Sequence, residues 1–218
     1  LSSIGSLAGA LASRGAALQG GFRTMVVGSG LERSSVVETR ELSTALEARG
    51  SSVIIVDWSS GDSGLAAAFG VTGGASLADL LDGRASFEDV IRRVPEGDAH
   101  FLTGGPGLDK IASEDVERIN LILDALDEAY DHILITGDRP ELKRLFELIQ
   151  GRIDAGVLID SMGASRPNDA APGVFLGYDV TDIEVFRLET GGLNANGRKA
   201  PLTAPSGEAG ATPPPLRT

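Results

Sequence analysis

The 218-residue chain contains no cysteine, which excludes a disulfide framework, a thiol nucleophile and a thiolate metal site. Its two histidines, His100 and His132, are too few and too scattered for a histidine-built metal cluster, so no metal ligands are expected. No apolar run approaches the ~20 residues that a membrane-crossing helix needs. Positive charge is in deficit: 19 Lys and Arg stand against 31 Asp and Glu, a net charge of −12. Nucleic-acid binding needs clustered Lys and Arg on phosphates, so that class is set aside. The same balance disfavours docking on anionic lipid. What remains is an ordinary globular composition, 42% hydrophobic, in a chain long enough for one α/β core with tails. It opens on Leu1 rather than Met, which reads as a piece of a longer protein.

Strand and helix signals alternate along the chain. Residues 1–20 place Leu1, Ile4, Leu7, Leu11 and Leu18 at helical spacing, interrupted by Gly5, Gly9 and Gly15. They read as a weak helix or linker that packs on the domain or docks on a neighbouring subunit. Residues 21–190 form the domain. "RTMVV" is a buried strand, "SSVVETRELSTALEARG" a helix closed by Gly50, and "SSVIIVD" a second strand. Two short helices, "ASLADLLDG" and "ASFEDVIRRV", precede a third strand, "AHFLTGG". A long amphipathic helix with a capping-box start at Ser113, Val116 standing where the Glu is usual, a fourth strand "HILITG", a helix "RPELKRLFELIQGR" and a fifth strand "AGVLIDS" follow. "GVFLGYDV" and "IEVFRLE" read as two more strands joined by a turn at Thr181–Asp182. Residues 191–218, rich in Gly and Pro and poor in apolar groups, read as a disordered tail. The alternation implies an open, doubly wound, mostly parallel sheet flanked by helices, a three-layer αβα architecture. Ligands of such sheets bind beyond the carboxyl ends of the strands. The loops after Val27, Val56 and Ile135 therefore share one rim.

That rim begins like a nucleotide site. A phosphate-binding loop needs glycines so that backbone N–H groups converge on phosphate, a lysine for the terminal phosphates, and a hydroxyl for magnesium. Gly28, Ser29 and Gly30 supply the flexible turn. Arg33, Ser34, Ser35 and Val36 then stand where Gly-Lys-Ser/Thr-Thr is needed, so Ser35 takes the lysine position and Val36 the hydroxyl position. Asp57 ends the second strand where an acid could organise magnesium. The fourth strand ends in Thr136 where an acid is needed, with Asp138 two residues beyond, at the turn before Arg139-Pro140. The free N–H groups of the helix start still favour an anion. Trp58, the sole tryptophan, sits just past Asp57 and belongs either in the core or against a partner.

Three stretches carry a resemblance. "ARGSSVIIVDWSSGDSGLAAAFGV", "GGASLADLLDGRASFEDVIRRV", and "FLTGGP" with "YDHILITGDRP" resemble the cytoplasmic kinase domain of bacterial tyrosine autokinases. These partner polysaccharide co-polymerases in capsule and exopolysaccharide export. More broadly the chain is similar to the deviant-Walker P-loop ATPases, over roughly Thr24 to Ser161. The resemblance implies a P-loop NTPase-like fold, and it also marks departures. The family's lysine aligns with Ser35, its threonine with Val36, and its Walker B aspartate with Thr136. Of its paired acids, Asp57 remains while the second aligns with Ser59. The phosphorylated tyrosine cluster is absent, the only tyrosines being Tyr130 and Tyr178. The helix before the sixth strand is shortened to "MGASRPNDAAPG".

Loss of every charge-handling group together, with the hydrophobic pattern intact, predicts a catalytically inactive, kinase-like domain of exopolysaccharide biosynthesis or chain-length control. No catalytic residue and no cofactor are expected, with Gly28, Ser29, Gly30, Arg33, Ser34, Ser35, Val36 and Asp57 as a vestigial phosphate rim. Its expected partner is a membrane-embedded polysaccharide co-polymerase or a second copy, at the inner face of the cytoplasmic membrane. Membrane helices before Leu1 fit that setting. One alternative is an enzyme of the same family that binds ATP and Mg through Arg33, Asp57 and Asp138. Another is a dinucleotide-binding turn, "VGSGLER", with Asp57 on a ribose hydroxyl. A partition-like or pilus-localisation scaffold is a third.

Overall fold

The computed structural model describes residues 3–28, 35–149, 151–161 and 172–190. Ser29, Gly30, Arg33 and Ser34, most of the Met162–Gly173 connection, and the expected tail at 191–218 lie outside the described residues. A seven-stranded sheet forms the middle layer. Its strands are β1 (Phe22–Gly28), β2 (Val53–Asp57), β3 (Ile91–Arg93), β4 (His100–Leu102), β5 (His132–Thr136), β6 (Ala155–Ser161) and β9 (Glu184–Thr190). Their spatial order is β3-β4-β2-β5-β1-β6-β9. Every pair is parallel except β3 with β4. The central strands β2 and β5 are buried along their whole lengths. Hence their sequences are continuous apolar runs rather than alternating ones.

Helices cover both faces. On one side α1 (Ile4–Gly15), α2 (Ser35–Glu47) and α3 (Leu65–Ala68) bury Leu7, Leu11, Leu42, Leu46 and Leu65 against Val26, Ile55 and Leu134. On the other, α4 (Leu77–Leu81), α5 (Phe87–Val90), α6 (Val116–Ala129) and α7 (Arg139–Leu148) cover Met25, Ile54, Ile133 and Ile135. The sheet and its two helical layers make the expected three-layer, doubly wound architecture. Among the described residues no helix is long and apolar enough to cross a membrane.

The N-terminal segment is a packing helix. The Ser3 hydroxyl accepts from the Ser6 amide at 3.1 Å to cap α1, and Leu7, Ala8 and Leu11 are buried. Gly15 lies against His132, where an added Cβ would stand 3.0 Å from the imidazole. The Ser76 hydroxyl and the Asp79 carboxylate cap α4 reciprocally.

Three readings are corrected. The helix expected through "ASFEDVIRRV" stops at Val90, and Ile91–Arg93 turns into an edge strand antiparallel to β4. The turn before Ala99, closed by Val94 N–H donating to the Ala99 carbonyl at 2.9 Å, lets this stretch pair. The long helix does not begin with a Ser113 capping box. A 3-10 turn, Ser113–Asp115, precedes it, and the Asp115 carboxylate accepts from the Ala112 amide at 3.0 Å. Finally, the last strands are not a hairpin about Thr181–Asp182. "GVFLGYDV" folds on itself as β7 (Val174–Phe175) and β8 (Tyr178–Asp179), while β9 joins the main sheet parallel to β6. Both turn residues of that hairpin, Leu176 (φ 53°) and Gly177 (φ 87°), have positive φ, as a two-residue type I′ loop requires. Burial of Leu176 offsets the cost of placing a leucine there.

Candidate functional site

The adjacent strands β1 and β5 lead to helices on opposite faces of the sheet, α2 and α7. This is a topological switch point, where a cleft opens beyond the strand ends. Close backbone contact closes the floor of the rim. Trp58 N–H donates to the Thr136 carbonyl at 2.7 Å, and Gly105 N–H donates to the Ser59 carbonyl at 3.0 Å. A Cβ on Gly104 would lie 2.3 Å from the Ser59 carbonyl oxygen, and one on Gly137 would lie 2.5 Å from that of Trp58. Only glycine lets the loops after β2, β4 and β5 meet this closely.

The described rim residues converge on Thr136. In the β2–β5 register Asp57 stands opposite Thr136. From the start of α2 the Ser35 hydroxyl lies 3.3 Å from the Thr136 hydroxyl, both buried. Gly28 ends β1, its carbonyl accepting from Arg139 Nη1 at 3.0 Å. Val36 points elsewhere, packing against the α1-side cluster. Thus Ser35, rather than Val36, is brought to the end of β5. The loop hydroxyl and the strand-end acid that hold magnesium in a P-loop enzyme must neighbour each other, and here two neutral hydroxyls do so.

Asp57 is the buried charge of the rim, 2% exposed. Its Oδ2 accepts from the Ser63 hydroxyl at 2.7 Å, while Oδ1 has no hydrogen-bond partner among the described residues. The Ser59 hydroxyl is close enough to lower the carboxyl's pKa yet stands outside hydrogen-bonding geometry. Burial dominates and pushes the Asp57 carboxyl up to about 6, with Asp138 and Glu141 adding like-charge repulsion against the help of Ser63 and Ser59. Glu141 is itself fixed by Ser60, whose amide and hydroxyl donate to its carboxylate at 2.8 and 2.5 Å. Asp138 caps α7 through its backbone carbonyl, which accepts from the amides of Glu141 and Leu142, each at 3.0 Å.

Ser60, Ser63 and Glu141 were not among the residues singled out from the sequence. A cluster of hydroxyls just after a buried strand-end acid was the available signal. Trp58 is in the core, 3% exposed, against Val56, Leu77, Ile119, Ile122, Leu123, Leu126 and Ile135. It is therefore not displayed to a partner. Neither "VVGSGLERSS" nor "HILITGDRPE" contains a lysine. Among the described residues no group of His, Asp or Glu side chains is arranged to hold a metal.

No protein-family model and no curated protein sequence matches the chain. Solved structures do. The kinase domain of the Escherichia coli tyrosine kinase ETK matches with a TM-score of 0.63 at 14% identity, over 96% of this chain and 80% of that one. The BceF tyrosine kinase domain matches with a TM-score of 0.56 at 19% identity, over 85% of this chain and 76% of that one. Cobyrinic acid a,c-diamide synthase from Mycobacterium smegmatis, with a bound ATP analogue and magnesium, matches with a TM-score of 0.59 at 16% identity, over 80% and 77%. The chain has the P-loop NTPase-like fold of these bacterial tyrosine-kinase domains.

Proposed function

We propose that this chain is a catalytically inactive domain of the tyrosine-autokinase type, acting through protein–protein contacts in exopolysaccharide export or chain-length control. Its partner on this reading is a membrane-embedded polysaccharide co-polymerase or a second copy, met at the inner face of the cytoplasmic membrane. The observation that carries the reading is the Ser35–Thr136 hydroxyl pair. It stands where a magnesium-holding hydroxyl and carboxylate are needed, beside a buried acid, Asp57, whose hydrogen-bond partner among the described residues is the neutral Ser63 hydroxyl. A triphosphate brought to this rim meets Asp57, Asp138 and Glu141 with no lysine to compensate it. Calorimetric titration with magnesium-ATP tests the reading. No binding heat and no phosphate release are expected, and tight binding with turnover overturns it.

One observation favours a second reading. A carboxyl held near neutrality is suited to general-base work, so Asp57, with Asp138, could serve an unorthodox ATPase that binds ATP and Mg. On that reading Asp57→Asn abolishes hydrolysis that the native chain displays.

A further inference from the structure

We propose that α1 is an acid-released latch: protonation of His132 expels the helix from the sheet and opens the apolar cleft beneath it. The inference is independent of the reading of the nucleotide rim, because His132 begins β5 and the rim lies beyond its last residue, Thr136. His132 is 2% exposed. Its ring meets Phe22 of β1 edge-on, with centroids 6.0 Å apart. The end of α1 closes over it. A Cβ on Gly15 would stand 3.0 Å from the imidazole Cε1, 3.4 Å from Nε2 and 3.3 Å from the Phe22 Cβ. That spacing leaves no room for a water molecule or a counter-ion between helix and ring. Nδ1 is buried and has no hydrogen-bond partner among the described residues. A neutral imidazole fits this seat at the cost of one polar atom. An imidazolium brings two N–H donors and a charge, and an unpaired buried charge costs far more.

The charged groups around the ring do little to offset that cost. Asp131, the preceding residue, acts on the imidazole in favour of its charged form. Its Oδ2, however, is engaged by the Ser52 amide and hydroxyl, at 2.7 and 2.8 Å. α1 contributes Arg14, itself a cation, which donates to Glu184 at 2.7 Å. β1 contributes Arg23, which pairs with Asp127 of α6 at 3.0 Å. From α2, Glu47 accepts from the Ser43 hydroxyl and the Asp98 amide at 3.0 and 2.8 Å, and Arg49 donates to the carbonyls of Ala45 and Gly5, each at 2.9 Å. Tyr130 turns its ring to His100, 5.5 Å between centroids. On the β2 side the register partner is the apolar Val53. Burial therefore prevails and holds the imidazole below its ordinary 6.5.

α1 itself has little to hold it. Its 12 residues are too few for a stable helix in isolation, and Gly5 and Gly9 weaken it further. It buries Leu7, Ala8 and Leu11. Its polar ties are arginines at the surface, Arg49 to the Gly5 carbonyl and Arg14 to Glu184. A segment so held opens locally at a small fraction of the cost of global unfolding. Release gives the imidazolium water, and it bares Phe22 and Phe186 of the cluster that α1 covers.

Proton linkage sets the direction. Above pH ~6.5 the imidazole is neutral with α1 docked or released, and pH has no effect through it. Below that, the released state takes up the proton and the docked state does not. Opening then grows by up to about tenfold per pH unit, the limit for one proton, until the docked state is protonated too. Amide hydrogen exchange of the full chain at about pH 7.5 and 5.5, each rate divided by the unstructured rate at that pH, tests the proposal on native, His132→Gln and, as control, His100→Gln. Native and His100→Gln are expected to lose protection over Leu7–Leu11 by on the order of tenfold. His132→Gln should lose none, and β1 and β5 should stay protected in all three. Unchanged α1 protection in the native chain overturns the proposal, as does an equal loss in His132→Gln. Loss shared by β5 also overturns it, since the whole fold then opens rather than the latch. Should His132→Gln fail to fold, NMR titration of the His132 ring in the native chain decides: a midpoint below 6.5 supports the latch, and one at or above 6.5 overturns it.

Discussion

Asp57→Asn removes a charge from a position where burial disfavours charge. Burial pushes the native carboxyl up to about 6 from its ordinary 3.8. That displacement corresponds to about 3 kcal/mol, at ~1.4 kcal/mol per tenfold change in an equilibrium constant. Because the folded value is raised, the carboxyl costs nothing below pH ~3.8, where it is protonated in both states. The cost grows as pH rises and is complete above pH ~6. Asparagine keeps an oxygen to accept from Ser63. The expected outcome is therefore a variant about 2–3 kcal/mol more stable than native at pH 8, with the advantage falling away toward pH 4. Urea unfolding of both proteins at pH 4, 6 and 8 reads the difference directly, and comparing the two cancels the other titrating groups. A variant no more stable than native at pH 8 refutes the reasoning, because the charge would then be compensated in the folded state. Magnesium chloride gives a companion measurement. Stabilisation of the native chain but not of the variant at pH 8 would identify the compensating group as a bound cation.

Further outcomes are expected. Trp58→Ala should cost about 3–5 kcal/mol in chemical denaturation while leaving self-association unchanged, since the indole is buried against α4 and α6; an unaltered midpoint contradicts that placement. Gly104→Ala should destabilise by several-fold more than Gly61→Ala, because its Cβ meets the Ser59 carbonyl at 2.3 Å whereas nothing lies within 4 Å of Gly61; equal melting temperatures would show that the loops part freely. Ser35→Lys with Val36→Thr should yield no ATP hydrolysis in a phosphate-release assay, because Ser35 is buried on Thr136 and β5 still ends without an acid. Full turnover from those two changes would refute the account of the rim.

The central sheet was readable because its strands are buried on both faces, and a run such as Val53–Val56 has few other uses. Periodicity failed where a segment is short and only half covered. Val90, Ile91 and Val94 sit at helical spacing, yet pairing with β4 wins over propensity for the last part of that stretch. The β7–β8 turn was missed because Leu-Gly lacks the Asn or Asp that usually marks a type I′ loop, and only the tertiary burial of Leu176 explains its backbone. At the rim, Asp57 was found from its place at a strand end. The alignment that put Ser35 at the lysine position could not show that its hydroxyl meets Thr136, since a helix start shifted by one residue changes which side chain faces β5. The hydroxyls of Ser60 and Ser63 and the carboxylate of Glu141 came together only through folding, from segments some eighty residues apart in sequence.

The strand order also sets a timetable for synthesis. β1 sits between β5 and β6, and both are encoded after it. Met25, Val26 and Val27 thus leave the ribosome with no neighbour to pair with until His132–Thr136 has been made, about a hundred residues later. At ~5–20 residues per second that is about 5–20 s. During it an apolar strand with two open edges is held only by whatever α1 and α2 can cover. The chain's most exposed moment is therefore before it is complete, and synthesis halted between β2 and β5 should give an insoluble product where arrest after β6 gives a soluble one.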